Sequence, residues 1–311
     1  MSETTRDQGK SLLALRGAAG DAYDPSLPNG KHDGSAGQET PPSSNDGSEQ
    51  GASWMSESFS TRLLRMISRS PDADDNPNDP WDPTDPLQLV KDEVPGFLAE
   101  YVRGKRVVDF GCNTGDQSLT LLNEGATEVV GIDINEAALS DARALIEREG
   151  VADKIQFVTH PDQIEGEPFD LVLSQNAFEH FDDAKAVLQQ MRDMIKPGGH
   201  VVLSFGPPWR APYGSHMYFF CRLPYSHLLF PEKAVMTVRQ SYRNDGYRTY
   251  AEAGLNKMLV KQFESLVREC GLELQHRKYT SVLNLPLIGS IPGVREFFVN
   301  HISAVLRRPE A

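Results

Sequence analysis

The 311-residue sequence has only three cysteines, Cys112, Cys221 and Cys270, too few and too widely spaced for a disulfide framework or a zinc cluster. A reducing, cytoplasmic setting is the simplest expectation. The chain also lacks any apolar run of the roughly 18 residues that a membrane span needs, and Leu12-Leu13-Ala14-Leu15 is too short for a secretory core. Basic charge is in deficit: 31 Lys and Arg stand against 44 Asp and Glu, a net charge of −13. A general nucleic-acid binder needs a basic footprint, so no nucleic-acid partner is expected. Internal repeats are missing. Residues 1–53 have almost no aromatics and are dominated by Ser, Gly, Asp, Pro and Thr, so they are expected to be a disordered tail. Whether Met55 is the true start is open.

What is present is concentrated between Arg106 and Asp133. Val107-Val108 runs into Asp109-Phe110, and a glycine-spaced turn follows, Gly111-Cys112-Asn113-Thr114-Gly115. Leu119, Leu121 and Leu122 then fall at helical spacing, Gly125 breaks the pattern, and Val129-Val130-Gly131-Ile132 leads into Asp133. Strand, glycine turn, helix, strand and acid make half of a nucleotide-binding βαβ unit. Gly111 and Gly115 allow a sharp turn with bare backbone against a ligand. Asp133, at the carboxyl end of its strand, can accept hydrogen bonds from both hydroxyls of a ribose. The turn is not G-x-G-x-x-G, and Asp109 and Asp116 flank it. Such carboxylates repel a pyrophosphate and suit a cationic nucleoside such as S-adenosylmethionine.

VVDFGCNTG with GID downstream resembles the first two motifs of the class I S-adenosylmethionine-dependent methyltransferases. FDLVLSQNAFEHF (169–181) and MIKPGGHVVLSF (194–205) resemble that family's fourth- and fifth-strand motifs. The resemblance covers 105–205 strongly and the rest of the C-terminal half loosely. It implies a Rossmann-like α/β fold: a doubly wound, mostly parallel sheet with an antiparallel last strand. It further implies that Asp109, Gly111, Cys112 and Gly115 line the methionine part of the cofactor. Asp133 would hold the ribose, Ile134 would lie against the adenine, and Asn176 would contribute through its backbone or amide. The family often has an acid after the third strand to read the adenine amino group. Here VTHPDQI offers Asp162, with His160 departing from the pattern.

Strands are expected at 105–110, 127–132, 154–159, 169–174 and 199–205, and helices at 116–124, 135–149 and 182–196. Asn135-Glu136 caps the second helix, and Lys196-Pro197-Gly198-Gly199 turns the chain into the fifth strand. Helical periodicity is expected over Leu87–Val102, then at Asn256–Cys270, with strands at Leu272–Ser281 and Phe298–Leu306. The catalytic domain is therefore placed at 87–311, with 54–86 a short helix and an acidic, Pro-rich linker. Within that linker Trp81 could anchor the segment across the cofactor site or pack elsewhere on the surface. In the helix, Phe59, Leu63, Met66 and Ile67 share one face, with Arg62, Arg65 and Arg69 on others. Residues 56–69 read either as a membrane-surface or partner helix, or as a helix packed on the catalytic domain.

Residues 206–256 are too long for an ordinary connection and are rich in Trp, Tyr, Phe, Pro and His, as expected of a substrate lid or an extra helical layer. Methyl transfer needs the acceptor positioned and, for a hydroxyl, a proton removed. Histidine has the pKa for that task. His216 in the insertion and His180 after the fourth strand are the candidate bases, each with a plain packing or capping alternative. Tyr213 and Tyr218 are candidate acceptor-pocket walls, and His227 reads as packing. No acid cluster follows the fourth strand, since Asp182-Asp183 open a helix, so no metal is expected. The resulting expectation is a methyltransferase acting on a small-molecule acceptor, most readily at a hydroxyl oxygen. The alternatives are a protein or RNA methyltransferase and a non-catalytic nucleotide-binding module; oligomeric state is left open.

Overall fold

The structure is a computed structural model that describes residues 57–68, 85–282 and 291–310. The expected disordered tail, together with Arg69, Trp81 and residues 283–290, lies outside the described residues.

The N-terminal described elements are α1 (Phe59–Ile67) and α2 (Gln88–Glu93), followed by a single π-helical turn at Leu98–Val102. The alternating core comprises β1 (Arg106–Phe110), α3 (Asp116–Asn123), β2 (Glu128–Ile132), α4 (Glu136–Glu149), β3 (Ile155–Val158), β4 (Phe169–Gln175), α5 (Ala184–Met194) and β5 (Ile195–Phe205). The insertion carries α6 (Ser226–Leu229) and α7 (Glu232–Arg239). The chain then returns through α8 (Val260–Glu269), β6 (Glu273–Ser281), α9 (Arg295–Phe298) and β7 (Val299–Arg307).

The seven strands form one sheet in the order β3-β2-β1-β4-β5-β7-β6. The first five pair in parallel, and β7 runs antiparallel between β5 and β6. This is the doubly wound, mostly parallel sheet that the alternation of strands and helices predicts. One face buries Val108, Val172, Leu203 and Ile302 under α5 and α8; the other buries Val107, Leu171, Val202 and Val305 under α2 to α4. Alternation within a single strand feeds both layers, which is why the strands read as continuous apolar runs. Strand order reverses between β1 and β4. Ligands of such sheets bind in the crevice at that point, beyond the carboxyl ends of the strands.

Local sequence fixes the helix ends. Asn135 caps α4 by accepting from the amides of Ala137 and Ala138, and Gly150 ends it at φ +69°. Asp183 caps α5 by accepting from the Ala186 amide.

Three boundaries differ from expectation. The 87–102 periodicity is not one helix, because Pro95-Gly96, with Gly96 at φ +69°, separates α2 from the π-helical turn. The fifth strand begins at Ile195 and not at residue 199. Ile195 pairs with Phe169, the register shifts before His200 pairs with Leu171, and Gly198 and Gly199 exchange backbone hydrogen bonds with Arg308. Finally, α8 starts at Val260, since Lys257 takes φ +58°.

The insertion has its own small core of Met217, Phe220, Val235, Val238 and Tyr250. Leu64 of α1, fully buried, is part of it. Thus α1 packs on the insertion, against α7, as the packed-helix reading of residues 56–69 expects. Its contact face is Thr61 and Leu64, whereas Phe59 and Met66 of the predicted apolar stripe stand 74% and 76% exposed.

Candidate active site

The turn after β1 is pinned to the end of β2. The amides of Gly111 and Cys112 both donate to the Ile132 carbonyl, at 2.8 and 3.1 Å. Gly111 at φ +88° lies so near the loop after β4 that a Cβ there would sit 2.9 Å from the Ala177 Cβ. Gly115 at φ +82° opens α3, and its Cβ would meet the Phe157 ring at 2.7 Å and the Ala142 Cβ at 2.9 Å. Only glycine fits either position. The Cys112 side chain is buried.

Asp133 holds this turn together. Its Oδ2 accepts from the Asn113 amide (3.0 Å) and its Oδ1 from the Asn135 amide (2.9 Å), leaving lone pairs on a half-buried carboxylate. Burial raises its pKa, and the two amide hydrogen bonds oppose that rise. Ile134 is half-buried against the neighbouring core. Asp162 lies exposed on the short 3₁₀ turn Pro161–Gln163 beyond β3.

Asp109 sits deeper than the family resemblance implies. It is fully buried, and its carboxylate accepts from Ser118 Oγ (2.6 Å) and Gln117 Nε2 (2.5 Å). Burial pushes it up to about 7, with those two hydrogen bonds opposing and Asp133 adding to the rise. A carboxylate so enclosed meets its surroundings through Gln117 and Ser118. Gln175 extends the chain of contacts by donating to the Gln117 side-chain oxygen and to the Pro86 carbonyl (2.9 Å). The segment before β1 is thereby tied to the start of α3, just past the β1 turn. Sequence patterning gave no sign of Gln117 or Gln175, because their role depends on a contact between residues 58 positions apart.

Asn176, just past β4, is exposed at φ +52°, and its amide donates to the Ser204 carbonyl (2.7 Å). A left-handed residue at a strand end beside the switch point is the kind of strain that functional sites retain.

The two predicted bases come together. The His180 and His216 rings meet edge to face with centroids 5.4 Å apart. His180 Nδ1 is held by the Gly254 carbonyl (2.9 Å), and the His216 ring bonds the Pro207 carbonyl. His216 Nε2 is shut off from solvent and has no partner among the described residues. Burial, and then the nearby His180, lower the His216 pKa to about 3, so its imidazole is neutral. Glu179, missed in the sequence, lies in the same corner. It is 4% exposed, its Oε1 accepts from the Gly206 amide (3.2 Å), and its Oε2 is unpartnered. Burial raises its pKa.

Tyr213 and Tyr218 pack on each other edge to face, 4.9 Å apart, and the Tyr213 hydroxyl donates to the Arg222 carbonyl (3.2 Å). Both are half-buried within the insertion. His227 packs as expected, edge-on to Trp209 at 4.7 Å.

Residues 108–201 match the family model described as a methyltransferase domain. This segment belongs to the class I S-adenosylmethionine-dependent methyltransferase family. The methyltransferase domain is 36% identical over 117 residues to a ubiquinone biosynthesis O-methyltransferase of Acinetobacter baylyi, covering 36% of this chain and 47% of that protein. It is 33% identical over 101 residues to a ribosomal protein L11 methyltransferase of Photobacterium profundum, covering 32% of this chain and 33% of that protein. The chain thus spans at most about half the length of these curated relatives. Among solved structures, a Mesorhizobium loti S-adenosylmethionine dependent methyltransferase aligns at a TM-score of 0.45 and 18% identity, over 68% of this chain and 94% of that one. The matched segment of the domain contains the β1 turn, Asp133 and Asn176 but stops before the insertion that carries His216.

Proposed function

We propose that the protein transfers a methyl group from S-adenosylmethionine to a hydroxyl oxygen of a small molecule held between the β4 turn and the insertion. Gly111, the Cys112 backbone, Gly115, Asp133 and Asn176 would hold the cofactor, which supplies a methyl group already activated on a sulfonium. Bare glycine backbone, lone pairs on Asp133 and a buried acid beneath the turn suit a cationic nucleoside with a free ribose.

The observation that carries the acceptor half is the buried, unpartnered Nε2 of His216, whose other ring nitrogen is fixed by a backbone carbonyl. A neutral imidazole so oriented can accept a hydrogen bond from a hydroxyl and set its approach. Its low basicity suits a late proton transfer, since a hydroxyl proton becomes strongly acidic once its oxygen is being alkylated. His180 braces the ring edge-on, and the unpartnered Oε2 of Glu179 offers a further acceptor for the substrate.

The ubiquinone biosynthesis relative supports oxygen as the target, and the L11 relative supports a protein acceptor as the second reading. Transfer of labelled methyl groups into organic-extractable material and not into precipitable protein separates the two. Replacing His216 by Ala should lower kcat by about 10²–10⁴ on a panel of phenols and catechols, with cofactor affinity intact by calorimetry. Undiminished turnover makes His216 a packing residue and ends this reading. Asp133→Ala should weaken cofactor binding by roughly 1.5–3 kcal/mol, and an unchanged affinity removes Asp133 from the site.

A further inference from the structure

Every markedly exposed large apolar side chain among the described residues lies in one of three stretches: α1, residues 223–229 and residues 291–297. The most exposed are Met66 (76%), Phe59 (74%) and Leu229 (65%), and the parallel core from β1 to β5 contributes none. The three stretches are joined around the insertion. α1 packs through Leu64 on α7, and α6 leads directly into α7. The Tyr225 hydroxyl, next to α6, donates to the Phe297 carbonyl (2.9 Å), and the Arg210 guanidinium lies 5.6 Å from the Phe297 ring centroid.

Charge divides along the same line. Residues 105–205 carry eight basic against eighteen acidic side chains, a net −10, whereas residues 206–256 carry six basic against three acidic, a net +3. Arg62 on α1 and Arg222 and Lys233 in the insertion are exposed beside the apolar groups. The insertion that carries part of the exposed apolar surface is thus net basic on a chain of net charge −13. Apolar side chains set among cations fit an anionic lipid headgroup layer, which attracts the cations while the apolar tips enter the acyl boundary. A peptide partner of opposite charge would satisfy the cations but leaves the scatter of apolar tips over three separate stretches unexplained. No described helix is long and apolar enough to cross a membrane, so the contact is peripheral.

We propose that the protein docks on anionic membrane surfaces through the α1–insertion side, with Phe59, Met66, Leu228 and Leu229 as the apolar contacts. The acidic core then faces away from the bilayer. This inference does not depend on the acceptor proposed above, and its test reads binding and not turnover.

The full chain is sedimented with vesicles of phosphatidylcholine alone or with one part in three of phosphatidylglycerol. Binding to the anionic vesicles that weakens with added salt, with little binding to neutral ones, is the expected result. Phe59→Ser/Met66→Ser and Leu228→Ser/Leu229→Ser should each reduce partitioning at least about tenfold, with melting temperature unchanged because these side chains are exposed. Arg222→Glu/Lys233→Glu should remove the preference for anionic lipid. Absence of vesicle binding, binding indifferent to salt and lipid charge, or undiminished binding by both serine variants overturns the proposal. So does a dimer that the Phe59→Ser/Met66→Ser variant dissociates, which would make a second copy the occupant. Vesicle binding that appears only after residues 1–56 are removed likewise overturns it, since the chain's own tail would then cover the face.

Discussion

Replacing Asp109 by Asn tests how the cofactor turn is built. Asp109 is fully buried and titrates at about 7, against 3.8 for an unperturbed Asp. Between those pH values the folded chain keeps a proton that the unfolded chain has released. A folded-state pKa raised in this way gives stability that is present below the unfolded value and is lost as pH rises through the folded value. The gap of about three units corresponds to about 4 kcal/mol at most, and relaxation around a buried carboxylate should reduce this to roughly 2–3 kcal/mol. Asn cannot titrate, but its amide must face two donors, Ser118 Oγ and Gln117 Nε2, which costs about 1–3 kcal/mol at every pH. The variant should therefore be clearly weaker than wild type near pH 4 and close to it near pH 8. Urea midpoints across that range measure the difference directly, and other titrating groups such as Glu179 cancel in the comparison. A wild-type-minus-variant difference that is flat with pH refutes the argument. The same geometry makes cofactor binding release protons below neutral pH, because a cation favours the ionised Asp109. Calorimetry in two buffers of different ionisation enthalpy reads that release.

Gly115→Ala should destabilise the fold by roughly 2–4 kcal/mol, combining a left-handed backbone with a Cβ pressed on Phe157 and Ala142; a loss under about 0.5 kcal/mol in chemical denaturation contradicts the packing. Leu64→Ala should cost about 2–4 kcal/mol and loosen the insertion core before the sheet. Hydrogen exchange should therefore rise in α7 with β1 and β4 protected, and uniform loss of protection across both would show that the two cores are not separable.

The β1 turn and the place of Asp133 beside it were legible because their information is local. A β-branched run, two glycines four residues apart and an acid at the next strand end each follow from backbone constraints within a few residues, and β1, β2 and β4 end where those signals end. The Asn135 and Asp183 caps were legible for the same reason. The corner that brings Glu179, His180 and His216 together was not. Glu179 is read from sequence as one acid beside a histidine; only the approach of Gly206 from the end of β5 leaves one of its oxygens stranded. His180 and His216 could be named as histidines near a lid, but their edge-on contact depends on how the insertion folds back. The α1 stripe shows the limit of periodicity: it identifies an apolar face and says nothing about what that face meets. Here Leu64, one residue beyond Leu63 of the stripe, makes the buried contact, and Phe59 and Met66 face water.

The insertion leaves and rejoins the core at a single place. At its start the Gly206 amide donates to Glu179. At its end Gly254 accepts from His180, while Asn256 donates its amide to the Glu179 carbonyl and its side chain to the carbonyls of Phe178 and Phe181. Fifty residues thus hang as one closed bight from the three-residue turn Phe178–His180, and the sheet beneath needs nothing of them except that their two feet stand together. Such an excursion can be lengthened, shortened or exchanged without re-registering a strand. Exchanging the bight would therefore change the acceptor side proposed above and leave the β1 turn and Asp133 as they are.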